Sequence, residues 1–183
     1  YVMMELGQPM HGFDFDKLSG GICVRLAEPG EKLALLDQSE VECYADTLLI
    51  ADHKGAVALA GIMGGLDSSV QADTRNIFLE AAHFSAIKLS GKARKFGMHT
   101  DASRIFERGV DAQLPPIAIQ RASELLIEIA GGEAGPLIDS VEDSHMPVSP
   151  QVTLRFAQVK RLLGIDVERD EISSILQRLN MHI

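Results

Sequence analysis

Two apolar runs, Leu48-Leu49-Ile50-Ala51 and Ala56-Val57-Ala58-Leu59-Ala60, bracket the polar tetrapeptide Asp52-His53-Lys54-Gly55. The runs are too short for helices, and a turn ending in glycine folds one back on the other, so this part of the chain is committed to an antiparallel hairpin. Gly61-Ile62-Met63-Gly64-Gly65 follows directly. Glycines this dense admit left-handed backbone and let another group approach the main chain closely. Neither the dinucleotide nor the P-loop spacing is present, and no Lys-Ser/Thr follows. The segment is therefore a tight turn with a bulge, or a wall on which a ligand or another chain rests.

Further strands are predicted at Ile22–Leu26, Lys32–Leu36, Val41–Tyr44, Asn76–Ala82 and Pro136–Glu142. Tyr1–Leu6 reads as the tail of a helix stopped by Gly7 and Pro9, and Gly7–Asp14 as a tight polar segment. Ser85 opens a helix to about Lys95, with Ala86, Leu89, Ala93 and Phe96 on its apolar side. Leu114-Pro115-Pro116 opens a longer one to about Ala130, closed by Gly131-Gly132, whose stripe of Ala118, Ala122, Leu125, Leu126 and Ile129 is expected in the core. Short turns and an irregular alternation of strands and helices predict the α+β class, a largely antiparallel sheet with packed helices. Asp143–Pro150 is linker-like, and strand Gln151–Arg155, helix Ala157–Leu163 and helix Glu171–Leu179, stopped at Asn180, follow it. So few residues cannot make an independent core, so the expected division is 1–148 as one domain and 149–183 as linker and truncated start of another. Tyr1-Val2-Met3 carries no basic leader and no initiating methionine, so the expectation is a piece cut from something longer.

At 183 residues and 46% hydrophobic, the chain can bury a real core. A formal charge of −9 argues against non-specific coating of nucleic acid. The exception is Lys88–Arg108, where Lys88, Lys92 and Lys95 fall at i, i+4, i+7 beside Arg94, Arg104 and Arg108, opposed only by Asp101 and Glu107. Such a face meets a polyanion or merely solvent. Cys23 and Cys43 are too few for a disulfide framework, and a reducing, intracellular compartment is expected. No apolar run approaches the ~18 residues of a membrane span.

Lys95–Asp111 concentrates polar chemistry between glycines. Locally, Thr100 or Asp101 caps a short helix running to Arg108, with Gly109 as its stop. The candidate reactive groups are His11, Glu80, His99, Thr100, Asp101 and Ser103. The plainest reading of His11 is a structural histidine bonded to a backbone carbonyl. Glu80, closing an apolar strand, is either exposed at an edge, the commoner case, or buried for a purpose. No Gly-x-Ser-x-Gly elbow, His-Glu-x-x-His helix or cysteine–histidine pairing is present, and Asp52, His53, His83 and His99 lack metal-ligand spacing. The residues alone predict a globular domain with a glycine-lined polar pocket.

Leu6-Gly7-Gln8-Pro9-Met10-His11, Ala60-Gly61-Ile62-Met63-Gly64-Gly65, Leu79-Glu80, His99–Ser103 with Phe106–Asp111, and Gly131–Pro136, met in that order, closely resemble the beta subunit of bacterial phenylalanine–tRNA ligases. The resemblance implies that 1–148 is that family's editing domain and that 149–183 begins the next, winged-helix-like one. It implies an RNA-binding region that hydrolyses tyrosine misattached to tRNA(Phe) during aminoacylation, by a positioned water assisted by backbone donors and the tRNA's terminal hydroxyl. The alternative is a non-catalytic module that positions tRNA or the other subunit. By motif matching, His11 and Thr100 would be catalytic, and Glu80 would read the tyrosine hydroxyl. Gly64 would keep a wall free of side chain, Ala102 would leave room for the ring, and Lys88, Lys92 and Lys95 would meet tRNA. The implied partners are tRNA(Phe) and an alpha subunit in an alpha2-beta2 assembly in the cytoplasm, with no membrane and no DNA. ATP and magnesium belong to the full synthetase, and neither a cofactor nor a metal is expected in this region. Three residues depart from the family's habit: Gly12 where alanine is common, Gln38 where glycine is common, and Ile105 where a polar residue is usual. A Thr-Asn pair that the family carries just before the position of Tyr1 is absent, so one pocket wall is expected to be missing.

Overall fold

The first helix, α1 (Val2–Leu6), stops at Gly7, whose left-handed φ of 77° lets its N–H return to the Met3 carbonyl. Beyond it the chain extends into β1 (Met10–Asp14), which pairs antiparallel with β8 (Ile77–Ala81). Residues 10–14 are thus a strand where the sequence suggested only a tight polar segment. The computed structural model describes residues 1–148 and 150–183; Ser149, inside the expected linker, lies outside the described residues. Two compact units result, Tyr1–Ser144 and His145–Ile183. No helix among the described residues is long and apolar enough to cross a membrane.

In the first unit, β2 (Cys23–Leu26), β5 (Leu48–Ala51), β6 (Ala56–Leu59) and β7 (Met63–Gly64) form an antiparallel sheet in that order. A third ladder pairs β3 (Lys32–Ala34) with β4 (Glu40–Glu42). Single bridges, Phe13 to Ser69 and Leu35 to Gly65, tie the ladders together. Every pairing is antiparallel, as expected. The β5–β6 turn is held by the Asp52 carboxylate, which accepts N–H bonds from Lys54, Gly55 and Ser19. Period-2 alternation sends Leu49 and Leu59 into one apolar cluster and Ile50 and Ala58 into another. Both faces of this hairpin are covered, which is why its strands read as unbroken apolar runs. Phe13, Leu35, Leu49 and Leu59 lie fully inside, each contributing roughly 1.5–3 kcal/mol of burial.

The expected helix from Ser85 to Lys95 is broken into α2 (Ala86–Leu89) and α3 (Lys92–Lys95). Gly91 causes the break: it takes φ 73° and gives its N–H to the Glu107 carboxylate at 3.0 Å instead of to the helix ladder. α4 (Asp101–Phe106) follows, then α5 (Leu114–Ala130), which packs on β8 and α1. On α5, Ala118 and Ala122 are buried, but Leu126 and Ile129 are exposed. Its stripe belongs to the core only where β8 and α1 lie against it. Residues 136–142 are exposed and unpaired, not a strand, and 151–155 likewise lack a ladder partner. A strand exists only through its partners, and local propensity cannot supply them. The second unit holds α6 (Phe156–Leu163), closed by Gly164, and α7 (Arg169–Arg178), after which Asn180 turns left-handed at φ 59°. Its described residues contain no strand, so no wing is among them.

Candidate active site

His11 on β1 and Glu80 on β8 are directly opposite each other in the ladder, so their side chains leave the same face about one strand spacing apart. Two residues further in on that face, Phe13 meets Phe78, with ring centroids 6.2 Å apart. The His11 ring stands edge-on to Phe13 at 4.4 Å. An acid and an imidazole therefore sit where the apolar core opens into a pocket. Pro9, Met10 and His11 form one side, Glu80 and Phe84 another, Gly61–Gly64 a third, and Ala102 and Phe106 of α4 close it. About 60 Å³ of this pocket is open to water.

Burial pushes the Glu80 carboxyl up to about 7, with neither a hydrogen bond nor a neighbouring charge to offset it. The exposed-edge reading of Glu80 is corrected: among the described residues β8 is paired only with β1, yet the Glu80 side chain leaves the sheet face that lines the pocket with the glycine segment, Phe84, Ala102 and Phe106, and is half-buried there. Burial also holds His11 below the ordinary histidine range, and its Nε2 is enclosed without a hydrogen-bond partner. Near neutral pH the imidazole is uncharged and the carboxyl is poised between its two forms. The pair thus carries at most one negative charge inside an apolar wall.

The glycine segment fits the site through close approach. A Cβ built on Gly64 would run into the His11 imidazole. The room at Gly64 is thus room for the histidine before it is room for any ligand. Gly61, at φ 67°, has Leu89 Cδ1 only 2.6 Å from where its Cβ would stand. Thr100 caps α4 in a capping box: its Oγ1 accepts the Ser103 N–H at 3.0 Å, and Ser103 Oγ accepts the Thr100 N–H at 3.2 Å. The same Thr100 hydroxyl donates to the Ile62 carbonyl at 2.9 Å. It is therefore committed to the cap and the glycine segment, and Thr100 stands behind the pocket wall while Ala102 lines it.

Residues 1–131 match the B3/4 domain family. The chain belongs to that family. Along its whole length it is similar to phenylalanine–tRNA ligase beta subunits: 55% identical to that of Pseudomonas syringae pv. syringae (strain B728a), 50% to that of Pectobacterium atrosepticum and 49% to that of Yersinia pestis. In each comparison it spans 23% of the relative's length. A crystal structure of an N-terminal fragment of the phenylalanyl-tRNA synthetase beta subunit from Pyrococcus horikoshii aligns with 93% of this chain and 49% of its own, at TM-score 0.49 and 18% identity.

The basic face of this B3/4 domain differs from its expected form. Lys88 lies on α2 and Lys92 and Lys95 on α3, so the break at Gly91 removes the common helix face. Lys92 and Lys95, the latter at 2.9 Å, both bond the Asp46 carboxylate and hold it down to about 2. Lys95 also lies over the Tyr44 ring, 5.5 Å from its centroid. His99 and Asp101 are exposed, and Ser103 is buried as the capping partner. Among the described residues no three His, Cys, Asp or Glu side chains group as metal ligands do. Sequence reasoning missed the contributions of Pro9, Met10 and Phe106 to the pocket, because all three follow from strand pairing and helix docking distant along the chain.

Proposed function

We propose that this B3/4 domain is the editing module of a phenylalanine–tRNA ligase beta subunit and hydrolyses the ester joining tyrosine to tRNA(Phe). The observation that carries this is the Glu80 carboxyl, poised near neutrality without a partner in an otherwise apolar pocket opposite an uncharged His11. A synthetic pocket built for phenylalanine rejects an added hydroxyl poorly, so a second site has to remove the error. Here the logic is inverted. The tyrosine hydroxyl pairs with Glu80, whereas phenylalanine leaves that buried group unpaired. Ala102 leaves space for the ring, Gly64 leaves room for the His11 imidazole, and His11 orients the ester end. A positioned water adds to the carbonyl carbon, the bond to the tRNA oxygen breaks, and that oxygen takes up the proton. Thr100, its hydroxyl already engaged, acts as a positioning residue. The wider setting is a cytoplasmic alpha2-beta2 assembly with an alpha subunit, where ATP and magnesium serve the activation step elsewhere.

The test is deacylation of tyrosyl-tRNA(Phe) by the intact beta subunit with its partner, comparing Glu80→Ala and His11→Ala with the unsubstituted protein. Losses of roughly 10- to 100-fold are expected, and undiminished rates in both variants would refute the assignment. A purely tRNA-positioning module predicts no hydrolysis in any assembly, and it needs a basic face that Asp46 partly neutralises.

A further inference from the structure

Gln8 is fully buried, yet it lies outside the pocket lining. Its Nε2 donates both hydrogens, to the Pro9 carbonyl at 2.9 Å and the Ala82 carbonyl at 3.0 Å, while Oε1 is enclosed without a partner. An apolar side chain of similar shape would leave no such orphaned acceptor, so what the amide gains must come from its two donated bonds.

Those bonds fall at a particular place in the β1–β8 ladder. The Phe15 N–H donates to the Asn76 carbonyl at 2.9 Å. Alternate pairs inward from there, Phe13 with Phe78 and then His11 with Glu80, are the hydrogen-bonded rungs. The next rung by register would join residue 9 to Ala82. Residue 9 is proline, which has no N–H to give. The Ala82 carbonyl would be left open there, because the rung next to the one that bears His11 and Glu80 can keep only the bond from the Ala82 N–H to the Pro9 carbonyl. The Gln8 side chain supplies the missing donor to that carbonyl.

We propose that the Gln8 carboxamide is a substitute rung of the β1–β8 ladder and a positioning residue for the His11–Glu80 pair. Its bearing on hydrolysis rests on the pocket's proposed function, whereas its role in the ladder does not. Amide hydrogen exchange of the full chain tests the ladder role in Gln8→Met. Exchange at the His11 and Glu80 amides is expected to accelerate roughly 10- to 50-fold, with Leu49 and Leu59 in the neighbouring sheet unchanged. Adding Pro9→Ala restores a main-chain N–H opposite Ala82 and should return the rung to near its original protection. An unchanged His11–Glu80 rung, an equal rise across both sheets, or no recovery on adding Pro9→Ala overturns the proposal. If Gln8→Met alone fails to fold, a folded double variant supports the substitute rung and an unfolded one overturns it. In the assembled enzyme, Gln8→Met should lower kcat for tyrosyl-tRNA deacylation with little change in KM. Faster exchange with an unchanged kcat would overturn the positioning role. An unsubstituted protein that does not deacylate at all would refute the function proposed for the pocket and leave the exchange result to decide the rung.

Discussion

Replacing Gly64 by alanine adds one methyl group at a point where the structure has no space for it. The new Cβ would overlap His11 Cε1 and stand 2.5 Å from Nε2 and 3.2 Å from Nδ1. Contacts between such atoms settle near 3.5–4.0 Å, so the ring has to withdraw by about 1.5 Å or rotate away. Gly64 is not in the left-handed region, so alanine brings no backbone strain and the effect is purely steric. Overpacking of this kind costs about 1–3 kcal/mol. A displacement of about 1 Å in a group that orients the ester already costs on the order of 100-fold in rate. Gly64→Ala should therefore slow tyrosyl-tRNA deacylation nearly as much as His11→Ala does. In the double variant the ring is gone, the methyl group has room, and the rate should match that of His11→Ala alone. Stability should follow the same pattern. Gly64→Ala lowers Tm by about 2–4 °C for each kcal/mol lost, and the loss largely disappears in the His11→Ala background. If the two substitutions multiply, with Gly64→Ala costing the same factor whether or not His11 is present, the methyl group acts on ligand space and the packing of Gly64 on the imidazole is irrelevant to the chemistry.

Glu80 should leave its mark on the pH dependence of folding. Its carboxyl lies at about 7 in the folded chain against an ordinary value of 4.5, so between those values the folded state binds more protons than the unfolded one. Stability contributed by this group is full below the lower value and is lost as pH rises through about 7, by at most about 3 kcal/mol. Urea midpoints measured from about pH 4 to about pH 8.5 should therefore fall in the unsubstituted protein relative to Glu80→Gln, and parallel curves would refute the raised carboxyl. Thr100→Val loses the α4 cap and the bond to the Ile62 carbonyl, for a destabilisation of about 1–3 kcal/mol, whereas Thr100→Ser keeps both. Equal denaturation midpoints for valine and serine would show that the hydroxyl bridge carries no load. Gln38 closes the β3–β4 turn at φ 69°, with its N–H on the Leu35 carbonyl at 2.8 Å. Gln38→Gly should raise stability by about 1 kcal/mol by removing left-handed strain, less the entropy that glycine adds to the unfolded chain. A lower Tm would mean that the glutamine side chain contributes more than its backbone costs.

What could be read ahead of the structure was what is local. The β5–β6 hairpin declares itself through adjacent apolar runs and an Asp-to-Gly turn, and the α4 cap through the choice of Thr100 or Asp101, while the capping role of Ser103 appears only in the structure. β1 did not, because Met10–Asp14 becomes a strand only by meeting Ile77–Ala81 far along the chain. The same dependence on partners explains the opposite error at 136–142 and 151–155, where suitable residues found no ladder. Glu80 and His11 were each visible as candidates from the residues. Their placement across one rung was not, since register is a property of two strands together. Gln8 shows the limit most sharply. A glutamine beside a proline is unremarkable until the register places that proline at a hydrogen-bonded rung.

The glycine segment takes this one step further. Gly61, Gly64 and Gly65 stand within five residues, and composition alone treats them as equivalent. Gly61 is required by a left-handed backbone and by Leu89, Gly64 by the His11 imidazole, and Gly65 by the Val57 carbonyl, 2.6 Å from where a Cβ would be. Only the second couples directly to a proposed functional side chain. Alanine at Gly61 or Gly65 should therefore damage folding whether or not His11 is present, whereas alanine at Gly64 should depend on it. The glycine whose substitution is relieved by losing His11 is the one that belongs to the site.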